Sequence, residues 1–216
     1  MRSFLWRLVV GAILSLSLPG RAALAQEPAS LLDRIVARGV LRVGTTGDYK
    51  PFTWRDPDTG KFEGVDIEQA ESLAAALGVK AEFVPTAWPT LAADFSSDRF
   101  DIAMGGVSIT FDRARKGYFS IPYLREGKTP IARCGETQRF AEIADIDRPE
   151  VRVVVNPGGT NERFARAHFR TAPIRVFPDN RAIFEEIAQG RADVMVTDVS
   201  ETRYQARQRP GVLCPV

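Results

Sequence analysis

Residues 151–164 read VRVVVNPGGTNERF, and this stretch carries the clearest signal of the fold. The valine-rich run at 151–155 is typical of a buried strand. The loop that follows contains Gly158 and Gly159, and Thr160 stands at the expected cap of a helix over residues 161–169. A strand, a glycine-rich loop and a helix in this order predict an α/β fold.

The same alternation of strands and helices extends in both directions along the chain. Upstream, the pattern predicts helices over residues 31–38, 66–77 and 90–97, and strands over 40–45, 80–85 and 100–104. Downstream, it predicts strands over 174–177 and 193–197 and a helix over 181–189, with a further helix starting at Val199. Two α/β lobes with sheets covered on both faces follow from this order.

The boundary between the lobes is expected within residues 121–133, where Pro122, Gly127 and Pro130 punctuate extended segments. We therefore assign residues 26–124 to lobe 1 and residues 125–216 to lobe 2. Ligands of open α/β sheets bind outside the carboxyl ends of the strands, so the site is expected in a cleft between the lobes.

The N-terminal residues predict a secretory signal peptide over 1–25. Arg2 and Arg7 precede or flank the apolar run at 8–18, and Ala23 and Ala25 supply the small residues of a cleavage site. The run is too short to remain as a membrane span, and no later segment approaches about 18 apolar residues. We expect a mature chain that begins near Gln26 and is not inserted in the membrane.

Net charge disfavours nucleic acid as a partner. The whole chain has 216 residues, with 29 basic and 27 acidic side chains. Removing Arg2, Arg7 and Arg21 with the signal leaves 26 basic against 27 acidic residues. Nucleic-acid binding depends on a basic excess that this chain lacks.

Cys134 and Cys214 are the two cysteines of the chain. An even number of cysteines in an exported protein favours a disulfide between them, although two buried free thiols remain the alternative. No metal site is expected, because neither cysteine has a CxxC partner and His168 is the single histidine.

The loop at 156–160 is a candidate anion site, because free amides and the positive end of a helix dipole meet there. It lacks the lysine of a phosphate-binding loop and the third glycine of a dinucleotide motif, so a carboxylate fits better than a nucleotide. A plain tight turn explains the local sequence equally well. Glu162, in the first helical turn, either complements the helix dipole or faces the cleft as a general acid.

A second candidate anion site is GGVSITFDR at 105–113, where Ser108 presents a hydroxyl and Arg113 a guanidinium that suits a carboxylate. An arginine in this position can also be a solvated surface residue. Asp198 ends a buried strand and could receive a ligand ammonium or cap the following helix. Tyr49 and Trp88 lie in loops, where they either line the cleft or pack as anchors, as do Phe52 and Trp54.

Several segments resemble the family 3 periplasmic solute-binding proteins, the amino-acid receptors of ABC importers. They are GTTGDYKPF at 44–52, FDIAMGGVSIT at 100–110 with Arg113, FSIPYL at 119–124, and Thr197-Asp198. An enzymatic branch, the periplasmic cyclohexadienyl dehydratases, is more similar still. The segments that carry this closer resemblance are TTGDYKPF at 45–52, PTAWPTLAADF at 85–95, GKTPI at 127–131 and NPGGTNERFA at 156–165.

The resemblance runs from about residue 32 to the last residue and implies a type II two-lobe fold in the periplasm. It also implies a lyase that needs no cofactor and that converts prephenate to phenylpyruvate and arogenate to phenylalanine. The alternative implied by the wider family is a non-catalytic receptor that delivers an amino acid to an ABC transporter. The segment around Glu162 favours the enzyme.

Carried over by position, Glu162 falls on the proposed general acid of the enzymatic branch. Its pKa is expected to be raised in a closed apolar cleft. Arg113 would hold a substrate carboxylate, Asp198 would sit where receptors bind the α-ammonium, and Lys50 or Lys128 would add positive charge. The full candidate set for substrate binding is Arg113, Ser108, Thr160, Asn161, Asp198, Tyr49, Trp88 and Lys128.

The end of the chain departs from the family pattern. In that pattern the chain recrosses to lobe 1 after the helix that follows Thr197-Asp198, whereas here the sequence ends at Val216. We expect this closing segment to be missing, which would expose apolar surface on Leu73, Leu77 or Leu91.

Overall fold

The computed structural model describes residues 30–216. The predicted signal peptide and the predicted mature start at Gln26 lie outside these residues. Within the described residues, no helix is long and apolar enough to cross a membrane.

Residues 30–114 contain four helices and six strands. In chain order they are α1 (Leu31–Arg38), β1 (Val40–Thr45), β2 (Asp48–Tyr49), β3 (Thr53–Arg55), β4 (Phe62–Glu63), α2 (Val65–Ala76), β5 (Lys80–Pro85), α3 (Leu91–Ser96), β6 (Ile102–Ala103) and α4 (Phe111–Ala114). Helix α1 begins with a capping box, in which Ser30 and Asp33 satisfy each other's backbone amides, and it ends at Gly39 in the left-handed conformation.

Residues 128–215 contain a second set of elements. They are β7 (Lys128–Arg133), a 3₁₀ helix (Cys134–Phe140), α5 (Ile143–Ile146), β8 (Val153–Val155), α6 (Thr160–His168), β9 (Ile174–Val176), α7 (Ile183–Ala188), β10 (Val194–Asp198), α8 (Val199–Gln208) and β11 (Leu213–Pro215). The predicted alternation of strands and helices is therefore confirmed in both halves of the chain.

The first lobe is built on a parallel sheet in which β1 lies between β5 and β6. Ile35 of α1 and Ala70 of α2 pack against Leu41 and Val43 of β1 in one buried cluster. Burying a side chain of this size stabilises the fold by about 1.5–3 kcal/mol, so the cluster is what holds the two helices on the sheet. The predicted strand at 100–104 is shorter in the structure, because β6 covers two residues only.

The second lobe is built on a five-stranded mixed sheet in the order β11-β7-β10-β8-β9. Strand β7 pairs antiparallel with both β10 and β11, whereas β8 pairs parallel with β10 and β9. Val153 and Val155 belong to one buried cluster and Val154 to another. Because successive side chains of a strand point to opposite faces, the sheet is covered on both faces, as predicted.

The sequence analysis did not predict two strands of this sheet. Strand β7 falls in the segment expected to cross between the lobes, and β11 lies close to the end of the chain. Pro130 in β7 has no amide to donate, but its carbonyl accepts a hydrogen bond from the Val216 amide at 2.9 Å. A proline in an inner strand is unusual, and the sequence pattern accordingly indicated extended segments between the lobes here and not a strand of the sheet.

The predicted exposure of apolar side chains in lobe 1 is only partly observed. Leu91 is buried, contrary to the expectation, whereas Leu73 is 37% exposed. Leu77 is half-buried.

Cys134 and Cys214 form a disulfide, as expected, with their Cα atoms 4.7 Å apart. Cys134 directly follows β7, and Cys214 lies in β11, which pairs with β7. The bond therefore joins neighbouring strands that are 80 residues apart in sequence.

The buried carboxyl group of Glu201 is the most unusual polar group of the second lobe. Glu201 lies in α8 with 1% exposure, and its Oε2 accepts a hydrogen bond from the Thr197 hydroxyl at 2.6 Å. Burial raises the pKa of Glu201 to about 8. The side chain is thus a neutral carboxylic acid at neutral pH.

The disulfide should contribute substantially to stability. Closing a loop of this length raises the free energy of the unfolded chain by about 4 kcal/mol. We therefore expect the double variant Cys134→Ser/Cys214→Ser to melt roughly 10 °C below the parent protein. Thermal unfolding followed by circular dichroism measures the difference. Reductant should lower the melting temperature of the parent protein and leave the double variant unchanged; equal melting temperatures for the two proteins would contradict the prediction.

Glu201 should make the fold less stable as pH rises. Between about pH 5 and pH 8 the folded protein keeps a proton that the unfolded chain releases, so the free energy of unfolding falls across this window. Glu201→Gln keeps a neutral side chain of the same shape, and we expect it to melt about 3 °C or more above the parent at pH 8. At pH 5 the two should melt together.

Melting curves at both pH values test this prediction, with the exposed Glu150→Gln as the matched control. A Glu201→Gln variant whose melting temperature differs from that of the parent by the same amount at pH 5 and pH 8 would show that Glu201 does not carry the pH dependence.

Candidate functional site

The two lobes meet in a cleft at the carboxyl ends of β1 and β10. The Tyr49 hydroxyl donates to Asp198 across the cleft at 2.5 Å, and the Asn180 side-chain amide donates to the Asp48 carbonyl at 3.0 Å. This is the position expected for the ligand site of open α/β sheets.

The cleft contains two cavities that share Tyr49, Gly106, Ser108 and Asp198. The smaller has a volume of about 20 Å³, and the larger about 480 Å³. The smaller cavity is lined by Tyr49, Trp88, Gly106, Ser108, Asn156, Gly159, Thr160, Asn161, Asn180 and Asp198. Six of the predicted substrate-binding residues are thus brought together: Tyr49, Trp88, Ser108, Thr160, Asn161 and Asp198.

Lys128 lies at the start of β7, directly opposite Asp198 in the strand register. Its ammonium contacts Asp198 Oδ1 at 2.8 Å and Thr160 Oγ1 at 2.9 Å, and it also donates to Asn161 Oδ1. An ammonium has three N–H donors, so these three acceptors satisfy it completely. Lys50, the alternative cation of the sequence analysis, instead lies over the Trp54 ring, 4.2 Å from its centroid.

Asp198 is the first residue before α8, but its side chain does not cap that helix. Its Oδ2 accepts from the Tyr49 hydroxyl and its Oδ1 binds the Lys128 ammonium. Of the two roles considered for Asp198, capping of α8 is not observed, and the ammonium that its carboxylate binds is the side chain of Lys128. Burial and the nearby carboxylates raise the pKa of Tyr49, so the phenol stays protonated and acts as a donor.

Thr160 differs from the expectation in its local role. The residue before α6 is Gly159, and Thr160 is the first residue of the helix, so its hydroxyl does not cap the helix. Instead, the hydroxyl faces the cleft and accepts from Lys128. Asn161 is buried behind it and donates to Asn156 and Thr197 at 3.1 and 2.9 Å.

Arg113 is held at the opposite side of the cleft by loop 105–110. Its guanidinium donates to the Ser108 carbonyl at 3.0 Å, and its central carbon lies 5.7 Å from the centroid of the Trp88 ring. Within residues 30–216 it forms no ion pair with a carboxylate. Burial and the charge of Arg163 lower the pKa of Arg113, but a guanidinium remains charged at neutral pH. Arg113 is thus a cation without a carboxylate partner among the described residues, and it lies next to Ser108 and Trp88 of the cavity walls but does not itself line either cavity.

Glycines let the aromatic residues approach the cleft closely. Gly106 has a φ of +67°, and a side-chain carbon there would lie 2.5 Å from the Tyr49 ring. The buried carboxylate of Asp66 fixes this loop, because its Oδ2 accepts the Gly105 and Gly106 amides at 2.7 and 2.6 Å. Trp88 is oriented by its indole N–H, which donates to Asp48 at 3.0 Å.

Glu162 contradicts the expectation of a raised pKa. Its Oε2 accepts the Gly158 amide at 2.7 Å, and its Oε1 pairs with Arg166 at 2.8 Å. The Gly158 amide, followed by Arg166, lowers the pKa of Glu162, so the carboxyl group is ionised in this structure. Glu162 directly follows Asn161, which lines the smaller cavity, but Glu162 itself lines neither cavity.

Sequence reasoning missed three polar residues around the site. Asn156 and Asn180 line the smaller cavity. Glu201 accepts a hydrogen bond from Thr197, which in turn accepts one from Asn161 of the cavity wall. Asn156 follows a buried strand directly, which is a signal that could have identified it. The burial of Glu201 depends on the packing of α8 against the sheet and leaves no local signal.

Comparison with known proteins places this architecture in a family. Residues 41–157 match the bacterial extracellular solute-binding proteins, family 3. The chain is 54% identical over 212 residues to the cyclohexadienyl dehydratase of Pseudomonas aeruginosa. This alignment covers 98% of this chain and 78% of that protein. It is 32% identical to the L-cystine-binding protein TcyJ of Escherichia coli K12, across 78% of this chain and 62% of that protein.

A solved structure supports the same placement. The ancestral amino acid-binding protein AncCDT-1, described as a precursor of cyclohexadienyl dehydratase, is 41% identical and superposes with a TM-score of 0.80. The match covers 86% of this chain and 81% of that one. The two lobes therefore have the type II periplasmic-binding-protein fold, and this chain belongs to the bacterial extracellular solute-binding proteins, family 3.

Proposed function

We propose that this chain is a cyclohexadienyl dehydratase, a carbon–oxygen lyase that converts prephenate to phenylpyruvate and arogenate to phenylalanine. The observation that carries the proposal is the 54% identity to a protein of that name over 98% of the chain. Identity to the receptor TcyJ is much lower and covers less of both chains. We also propose that residues 1–25 direct the protein to the periplasm.

The charges of the cleft suit a substrate with two carboxylates. Arg113 offers a planar guanidinium that can bind one carboxylate through two hydrogen bonds. The charge of Lys128 is balanced by Asp198, so this end of the cleft is neutral and has no net negative charge that would repel a second carboxylate. Tyr49 and Trp88 present aromatic rings to the cavity, against which a flat six-membered ring can pack.

The reaction itself is an aromatising elimination. The bond between the ring and its carboxylate breaks, carbon dioxide leaves, and the electron pair enters the ring and expels the hydroxyl group from the opposite carbon. Hydroxide is a poor leaving group, so an acid must protonate it as the C–O bond breaks. Formation of the aromatic ring drives the reaction, and the protein must orient and protonate the substrate.

We propose Glu162 as this general acid. It lies in the first turn of α6, next to Thr160 and Asn161 of the cavity wall. Its carboxylate is held away from the cavity by Gly158 and Arg166, so the proposed role requires it to turn inward and take up a proton. A bound dianion favours that uptake, because a nearby negative charge raises the pKa of a carboxyl group.

A second candidate function is that of an amino-acid receptor. The similarity to TcyJ and to the ancestral amino acid-binding protein favours it. Such a receptor would bind an amino acid and release it unchanged.

Incubation of the purified chain with prephenate tests the enzyme against the receptor. We expect phenylpyruvate to form, and Glu162→Gln to lower kcat by about 10²–10⁴ because it removes the proton but keeps the shape. Glu150→Gln, an exposed position in the same lobe, serves as the matched control. A folded protein that binds but yields no product would be a receptor, and a fully active Glu162→Gln would rule out this acid.

Arg113→Lys tests the carboxylate site. Lysine keeps the charge but loses the paired hydrogen bonds, so we expect KM for prephenate to rise about 10- to 100-fold with a smaller change in kcat. The neighbouring exposed Arg115→Lys is the control. Steady-state kinetics measure both, and an unchanged KM in Arg113→Lys would place the carboxylate elsewhere.

A further inference from the structure

The ammonium of Lys128 is held by three acceptors of the protein, in the way that the ammonium of a bound ligand would be. Its side chain is 16% exposed, and its ammonium is surrounded by one carboxylate, one hydroxyl and one amide oxygen. No donor is left for a substrate oxygen. The set of acceptors, from Asp198, Thr160 and Asn161, is the one that a primary ammonium from outside would require.

Both carboxylate oxygens of Asp198 are correspondingly engaged by the protein. Its side chain is 18% exposed, with one oxygen bound to Lys128 and the other to the Tyr49 hydroxyl. Among the described residues that line the smaller cavity, Asp198 is the only carboxylate. Glu201 lies beneath, fully buried and bonded to Thr197, and Asp48 accepts from Trp88. The smaller cavity therefore offers no unpaired carboxylate to an incoming ammonium.

From this geometry we propose that Lys128 is a specificity-determining residue, whose ammonium fills the ammonium site at Asp198 and thereby selects an α-keto acid over the corresponding α-amino acid. This inference rests on the proposed function and deepens it. It names prephenate, rather than arogenate, as the preferred substrate.

The chemistry of the two substrates explains the selection. Prephenate and arogenate share the ring and both carboxylates, and they differ only in a keto oxygen or an ammonium on the side chain. An ammonium brought to Asp198 would stand against the like charge of Lys128, at a carboxylate whose two oxygens already bind Lys128 and the Tyr49 hydroxyl. A keto oxygen carries no charge and can accept a hydrogen bond from the Thr160 hydroxyl. That hydroxyl only accepts a hydrogen bond from Lys128, so its own hydrogen remains available to donate.

The first experiment compares ligands on the unmodified protein, so it does not depend on any variant. Calorimetric titration should show phenylpyruvate binding at least tenfold more tightly than L-phenylalanine, and kcat/KM should be at least tenfold higher for prephenate than for arogenate. Equal affinities for the two products would overturn the inference, even if neither substrate were turned over.

The second experiment empties the site. Lys128→Met keeps the length of the side chain and removes the charge, so we expect the ratio of kcat/KM for arogenate to that for prephenate to rise at least tenfold. Affinity for L-phenylalanine should rise as well. Lys61→Met, in an exposed loop, is the matched control and should leave both ratios unchanged.

A double variant assigns the effect to Asp198. If Asp198 receives the ligand ammonium once Lys128 is gone, Lys128→Met/Asp198→Asn should lose the gain in L-phenylalanine affinity. A gain that persists without the carboxylate would overturn the inference. Absence of turnover with intact selectivity in the binding titrations would instead contradict the proposed function alone.

Discussion

The ion pair between Lys128 and Asp198 is the interaction on which the cleft depends. It joins the start of β7 to the end of β10, and through Thr160 and Asn161 it also fixes the N-terminus of α6. Asp198 extends the network across the cleft to Tyr49 of the first lobe. One half-buried ammonium thus links two strands, one helix and an aromatic side chain.

A network of this kind is most stable when its partly buried charges are balanced. Lys128 and Asp198 cancel each other, and the carboxyl group of Glu201 beneath them avoids a second negative charge by remaining protonated. Arg113, which lies against Ser108 and Trp88, forms no ion pair with a carboxylate within residues 30–216. The pair at Asp198 is therefore neutral and the charge at Arg113 is unbalanced, and an anionic substrate is drawn toward that positive charge.

The sequence alone predicted most of the fold because the signals of its elements are local. Helix α1 and strands β1 and β5 have the predicted bounds, since a capping serine, terminating glycines and valine-rich runs mark them directly. Strand β7 was missed because its local signal, a proline, opposes its tertiary context. Its pairing with β10 and β11 is formed by residues more than 60 positions away, which no window along the chain can detect.

The candidate site shows the same division between local and long-range information. The end of a strand predicted Asp198 for the cleft, and the loops before two helices predicted Thr160 and Arg113, but these patterns could not show which charges are already paired. Only the distances show that Lys128 is paired with Asp198 and that Glu162 is paired with Arg166. For a receptor and an enzyme that share one fold, this pairing is the decisive information. A free carboxylate at the end of β10 makes the cleft a site for an amino acid, and a lysine bound there turns the same cleft toward a keto acid with two carboxylates.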